Sequence, residues 1–524
     1  MSEEFNKRLQ RVSQLMQESK LGSAKDLLLK LEDEAVNSVD EAHKALQLLE
    51  VSRQLNDLGA GIKDQELIQR AIKHLNECIS EIDALESGDV YFCLGTSHQS
   101  LLRLKTAEAI RYQDIEDLRL ARHYFRLATK QINESNSEDY WASASWTNYG
   151  NLLIDAGRVF ESVSAYNRAL EIKPDLSWAL AQKSRAVCLM GDKMPHYRSA
   201  LYSEAERLLR QAIHHGGLTQ EARDGYLKGV KVLATANESS PLVSQKSTEG
   251  LKPADAVQNE LFQFIAENDL WLSPYSAIAS IANPYVGDPF FFSGIPADLP
   301  NQEKLIRYIS FLNDIKNEYV LGRYFLFQSQ SLSSAIDAVA VGVEFYKTYD
   351  HANYSAYMQL LKAALKQAVA VLDKVAFFLF DYCNLEANPS YKVKENVVSF
   401  LRLWENGLTS GILPCAFMGY ENSHLFALFT LARDLYSQGD WKSVMENRHK
   451  VTHRFLILHD EQADFQPNAD IPRKPIAEFR ANALHATQIA RAATMYLVQF
   501  VEEDVRNYAR NNPHGFVSAI GFPF

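Results

Sequence analysis

The chain has 524 residues, 47% hydrophobic and 23% charged, a globular composition that excludes a disordered chain. Its 54 Lys+Arg against 65 Asp+Glu leave a net charge of −11, which excludes coating of nucleic acid by bulk charge but permits a locally basic site on an acidic body. Five cysteines (Cys78, Cys93, Cys188, Cys383 and Cys415) are scattered, odd in number and free of any CxxC pair, so neither a disulfide framework nor a cysteine zinc site is expected. No run approaches the roughly 18 apolar residues of a membrane span, and the start MSEEFNKRLQ lacks the apolar core of a leader. A cytoplasmic location without membrane contact is the expectation.

The first 235 residues read as helix after helix, with sparse Gly and Pro and apolar residues at 3–4 spacing. From Trp146 the order is Trp146, Tyr149-Gly150, Leu153, Gly157, Tyr166, Ala169, Pro174. This resembles the tetratricopeptide (TPR) pattern, a pair of helices repeated every 34 residues. The large residues would fill the groove between the two helices, Gly150 and Ala169 would permit close backbone approach, and Pro174 would stop the second helix. A further unit follows in phase at Trp178, Leu180, Gly191, Ala205, Leu209 and Ala212. An earlier one is marked by Leu94-Gly95 and by Ala121, Phe125 and Ala128. Residues 1–80 are helical without clear register. The resemblance implies a stacked array with a concave face for a peptide, protein or ligand.

Residues 237–255, polar and without periodicity, read as a linker. The segment 283–300 holds four prolines and is expected to be ordered but irregular. Helical patterns then cover about 301–328, 354–382, 393–408, 422–438, 441–459 and 476–511, with a proline-containing loop over 460–475. The last residues, NPHGFVSAIGFPF, are apolar and suited to docking on the body or on a partner.

Within 441–459 stands Arg448-His449-Lys450-Val451-Thr452-His453. The bare Arg-x4-His spacing carries little weight. With 27 Arg and 14 His, about 0.7 occurrences arise by chance, and the chain has four, at Arg210–His215, Arg448–His453, Arg454–His459 and Arg480–His485. The position after the arginine discriminates, being Gln211, His449, Phe455 and Ala481 in turn. Only the second fits R-[NHD]-x3-H and so resembles the motif of HEPN domains. That superfamily of helical bundles includes many metal-independent ribonucleases of toxin–antitoxin, abortive-infection and CRISPR systems. On a wheel of about 100° per residue, Val451, Phe455 and Leu458 would form the buried stripe. His449 and His453 would lie together on an outer face, and Arg448 about 140° from His453. Four basic residues (Lys442, Arg448, Lys450, Arg454) stand against the single acid Glu446, which suits an anionic ligand. A helix starting near Arg448 would add its N-terminal dipole.

The Asn283-Pro284 segment, the helix LNDIKNEYVLGRYFLF and the stretch Asp373-Lys374-Val375-Ala376-Phe377-Phe378 are similar to a bacterial HEPN subfamily found after TPR arrays, over roughly 255–510. The resemblance implies Arg448, His449 and His453 as catalytic residues. It implies lesser support from Lys450, Arg454, Glu318, Arg323 and Asp373, and a composite site where two protomers meet. No set of ligands has metal spacing, the pair His214-His215 included, and no Walker or dinucleotide glycine motif occurs, so no cofactor and no metal are expected. The sequence thus predicts an all-α chain, with a TPR-like helical-hairpin array over 1–236, a linker over 237–255 and a HEPN helical bundle with irregular insertions over 256–524. The expected function is a homodimeric, metal-independent endoribonuclease of toxin or antiviral type, with RNA as substrate and an unknown partner on the array. The alternative is a catalytically silent HEPN-like domain in an interaction scaffold.

Overall fold

The computed structural model describes residues 2–38, 41–79, 87–105, 112–134, 139–238, 251–278, 285–297, 302–331, 334–339, 341–344, 352–420, 422–437, 439–460, 472–512 and 516–519. Helices dominate, so the fold class is all-α. The chain forms two compact units, Met1–Leu189 with Ala205–Glu238, and Met190–Glu204 with Ser239–Phe524.

The first unit is built from α1 (Glu3–Gln17), α2 (Leu21–Val36), α3 (Glu41–Ile62), α4 (Gln65–Cys78), α5 (Ser87–Leu104), α6 (Glu116–Glu134), α7 (Asp139–Asp155) and α8 (Val159–Ile172). It also holds most of α9 (Ser177–Lys193) and α10 (Arg198–His215), and α11 (Gln220–Glu238). From α1 to α8 each helix packs on the next, burying an apolar stripe. The hairpins close through a glycine set against a ring. A Cβ on Gly150 would lie 2.6 Å from Tyr166, and one on Gly95 would lie 2.9 Å from Phe125. The α7–α8 turn uses Gly157 at φ +77°, with Arg158 N–H donating back to Leu153 O at 2.7 Å. That left-handed position ends a helix at little cost only for glycine. Buried charges lie here too: Glu32, 2% exposed, accepts from Arg70 (2.7 Å) and from buried His74 (2.7 Å), and buried Arg122 donates to buried Asp114 at 2.7 Å.

The second unit is centred on α15 (Ala356–Tyr382) and α19 (Ile476–Asn511), flanked by α13 (Gln302–Gln328), α17 (Ser423–Leu435) and α18 (Lys442–His453). Shorter pieces are α12 (Ala256–Glu267), α14 (Ser334–Ala338) and α16 (Gly407–Ser410). Helix α17 is buried all round from His424 to Leu435, as a helix apolar on every face must be. Its first N–H groups are capped by Asn422 Oδ1, which accepts from His424 and Leu425. Two short sheets complete the unit. β1 (Gly294–Ala297) pairs antiparallel with β4 (Phe516–Ala519), so Phe516–Ala519 of the apolar C-terminal stretch docks on its own body. β2 (Ile457–His459) pairs in parallel with β3 (Arg473–Pro475), and Ala352 bridges His459.

The irregular chain before α13 is braced by buried arginines. Arg323 donates to Leu270 O and to both carboxylate oxygens of Asp288 (3.0 and 2.5 Å) and lies over the Trp271 ring. Arg491 donates to Trp271 O at 2.7 Å and to Ser276 Oγ at 2.8 Å. These bonds satisfy carbonyls that a helix would have satisfied internally.

Two expectations are corrected. The helix foreseen over 393–408 is a series of turns, Glu395–Val397, Arg402–Trp404 and α16. The chain there is held from outside instead, by Glu405 accepting from Lys392 and Val393 N–H and by Asp373 accepting from Phe400 N–H. The helix foreseen over 441–459 ends at His453, and the Val451–Phe455–Leu458 stripe does not form. From Arg454, extended at φ −139° and ψ −171°, the run Phe455-Leu456-Ile457-Leu458 follows strand period instead. Most of the expected linker and of the 460–475 loop, together with Asn283-Pro284, lies outside the described residues.

Candidate functional site

Helix α18 is placed by the turn that leads into it. A Cβ on Gly439 would fall on the backbone carbonyls of Arg433 and Asp434, so this reversal from α17 needs glycine. Trp441 N–H then donates to Asp434 O at 2.8 Å, and its ring stacks on His485 of α19. Ser443 Oγ donates to Asn482 Oδ1 at 2.9 Å. The inward face of α18 carries buried Val444 and Asn447, and the helix rests on α15, α17 and α19.

That packing turns His449 and His453 outward. Both are exposed, one helical turn apart, with ring centroids 5.3 Å from each other. Arg448 is half-buried and faces the other way, toward α15, with a guanidinium nitrogen 3.7 Å from Asp373 Oδ2. Asp373 uses its second oxygen to accept from Phe400 N–H at 2.9 Å. Burial pushes this carboxyl above its ordinary range, while the Phe400 N–H and the Arg448 charge pull in the opposite direction. Lys450 is partly exposed, and Arg454 and Phe455 are exposed.

The dipole expectation is overturned. The helix starts at Lys442, and the motif occupies its last two turns, with Lys450 and His453 in the final one. The carbonyl end favours cations, so attraction for an anion here comes from side chains alone.

Of the lesser residues, Asp373 is brought to Arg448, Lys450 and Arg454 stand on and just past the last turn of α18, and Glu318 and Arg323 are held by other partners. Glu318 pairs with Lys374 at 2.7 Å, and Arg323 serves the Asp288 brace. The other three Arg-x4-His pairs divide as follows. Arg210 pairs with Glu206 on α10. Arg454 and His459 fall on either side of the α18–β2 break, and His485 is the ring beneath Trp441. A core histidine in this unit looks different from His449 and His453. His424 is 2% exposed, stacks on Tyr496, and is pushed down to about 3 by burial.

Sequence reasoning missed the Trp441–His485 stack, the Gly439 turn and the outward Phe455. Phe455 had a readable signal: an apolar four-residue run after a cationic stretch fits a strand as well as a helix. The stack is long-range and leaves no local trace. Among the described residues no group of three or more His, Cys, Asp or Glu converges as metal ligands, and no helix is long and apolar enough to cross a membrane.

No curated protein matches the chain. Residues 299–504, which hold α13, α15, α17, α18 and most of α19, match the family model described as LA2681-like HEPN. The Arg448–His453 motif lies inside that match, and the C-terminal helical unit is similar to a HEPN domain over those residues.

Proposed function

We propose that the protein is a metal-independent endoribonuclease whose working groups are Arg448, His449 and His453. The observation that carries this reading is the pair of exposed, adjacent imidazoles of the R-H-x3-H sequence on one face of α18, inside a HEPN-family match. In the reaction, the 2′-oxygen of RNA attacks its own phosphorus and the bond from phosphorus to the 5′-oxygen breaks. One imidazole takes the 2′-OH proton, and a protonated one supplies the proton to the departing 5′-oxygen. The products are a 2′,3′-cyclic phosphate and a 5′-OH, and DNA is excluded for want of the nucleophile. His453 fills the proton-transfer role and His449 orients it. Arg448 stabilises charge on the phosphoryl oxygens, with Lys450 and Arg454 adding attraction.

Because Arg448 points to Asp373 and the imidazoles point away, one protomer does not surround a phosphate. The reading therefore includes a homodimer in which two α18 helices contribute to one site, an isologous arrangement. The N-terminal hairpin unit is read as a TPR-like array that receives a signal and gates cleavage, in a cytoplasmic toxin or antiviral effector.

The test is cleavage of RNA in excess EDTA by the full chain and by His453→Ala, with His485→Ala as the second variant. Loss of at least 100-fold in the first, with unchanged melting, is expected, because an exposed imidazole contributes little to the core. Equal loss in His485→Ala, with melting and the α18 packing unchanged, would place the site on the wrong motif, and dependence on added Mg²⁺ would overturn the chemistry. The same half-buried Arg448–Asp373 pair favours one rival, a silent domain in which Arg448 is only structural. That rival predicts no cleavage by the wild type, and Arg448→Lys altering melting alone.

A further inference from the structure

Among the described large apolar side chains, the ring of Phe455 is the most exposed, at 81%. Its position is not slack. Leu456 and Leu458, at 5% and 1%, anchor the strand on its inner side, so the period of two drives Phe455 outward. The strand is fixed on both flanks. Ile457 N–H donates to Pro472 O at 3.0 Å, and Asn353 N–H donates to Leu458 O at 2.8 Å. A ribbon hydrogen-bonded on both flanks thus holds up an exposed aromatic ring. The residues before it, Thr452, His453 and Arg454, are all exposed and polar. Two steps of near-extended chain, at about 3.3 Å each, separate His453 from Phe455.

We propose that Phe455 is a stacking platform for one nucleobase of single-stranded RNA, next to the phosphate on which His453 acts. This rests on the ribonuclease reading and names its substrate class. Cations beside an outward ring match a polymer that alternates negative phosphates with flat π-faces. A duplex has its faces already stacked on neighbouring bases, so the ring selects unpaired strands. A second copy of this chain fits the ring itself less well. The proposed dimer sets two cationic α18 ends around one site, and RNA brings the charge opposite to both. An interface core would also surround the ring with further apolar groups.

The experiment uses the full-length protein and a short 2′-O-methylated single strand containing 2-aminopurine, which offers bases and phosphates but no nucleophilic hydroxyl. Wild type should bind it and change its fluorescence, with far weaker binding of the same strand in a duplex. Phe455→Ala should weaken single-strand binding about tenfold and abolish the fluorescence change, and Phe455→Trp should restore both. Melting should be unaltered in both variants, since the ring buries little. Binding by Phe455→Ala equal to wild type overturns the proposal. So does conversion of a dimer to monomers by Phe455→Ala without RNA, which would assign the ring to a contact between copies. Cleavage of unmodified RNA is scored separately. A wild type that stacks the base without cutting would defeat the ribonuclease reading and leave the platform standing. One that cuts with the same KM after Phe455→Ala would do the reverse.

Discussion

The two units solve the same packing problem with different residues. In the N-terminal unit, neighbouring helices are brought close by removing a side chain: Gly95 faces Phe125, and Gly150 faces Tyr166 sixteen positions later. Both units bury charge, the N-terminal one at Glu32, but in the C-terminal unit the tightest glycine approach is to backbone and the buried arginines hold irregular chain. Gly439 lies against carbonyls, Arg323 grips Asp288, and Arg491 reaches back to the carbonyl of Trp271 across 220 positions. A ring can shift when crowded, and a carbonyl fixed in a helix end cannot. An unpaired buried charge has no relaxation open to it except local unfolding. The difference teaches where each unit is brittle, and it ranks the substitutions that would break each one.

The largest effect should come from Arg323→Met. The methionine approximates the aliphatic stem but takes the guanidinium from half-buried Asp288, which keeps only the Leu272 N–H, and leaves Leu270 O with the Tyr319 hydroxyl alone. A loss of about 3–4 kcal/mol is expected, the lower part of the range for breaking a buried pair from one side. Urea denaturation would measure it. A loss near zero would mean that Asp288 reaches water and that the brace carries little of the fold.

Next come the two glycines, taken as a matched pair. Gly439→Ala puts a methyl into the Arg433 and Asp434 carbonyls, and the chain must move. About 3 kcal/mol is expected, the upper end for over-packing. Gly150→Ala meets the Tyr166 ring, which is buried with its OH donating to Asn151 at 2.8 Å, but a side chain can give where a helix-end carbonyl cannot, so about 1–2 kcal/mol is expected. Comparable losses would remove the distinction between rings and backbone. A second prediction sharpens it: Tyr166→Phe combined with Gly150→Ala should be less than additive, because both act on the same ring.

This contrast also explains what could be read from the sequence. Contacts such as Gly150–Tyr166 are local and in register, so hairpin boundaries around Gly157 and Pro174 were visible before any coordinates. Long helices such as α13, α15 and α19 announced themselves by periodicity. The α18 boundary did not, because Phe455-Leu-Ile-Leu is apolar on either period and only pairing with β3 and with Asn353 decides for a strand. Residues 393–408 failed for a related reason. Their helical spacing is overridden by Glu405 and Asp373, which bind backbone N–H groups from a distance. At the site, the order Arg-His-x3-His identified the outward imidazoles. The partner of Arg448 was visible only as one of several polar residues, and Glu318 and Arg323, named with it, serve other contacts.

The smallest effect, and the one that bears most closely on the site, concerns Asp373. Burial raises this carboxyl above its ordinary range in the folded state, and the unfolded chain titrates it at about 3.9. Between those two values the folded protein holds more protons than the unfolded one, so stability falls as pH rises through that window and stays lower above it. Asn imitates the neutral carboxyl, keeps an oxygen for Phe400 N–H, and does not titrate. Wild type and Asp373→Asn should therefore melt alike below the ordinary carboxylate range. Near neutrality the variant should be slightly the more stable, by less than about 1 kcal/mol, the scale of a partly exposed charge pair. Cleavage should move the opposite way, since the asparagine no longer holds the Arg448 guanidinium by charge. Both outcomes together would mark Asp373 as a residue kept for the proposed reaction at a cost in stability. If Asp373→Asn were instead destabilising at every pH, with cleavage untouched, the carboxylate would be a bracket for the Phe400 turn and Arg448 would be positioned by α18 alone.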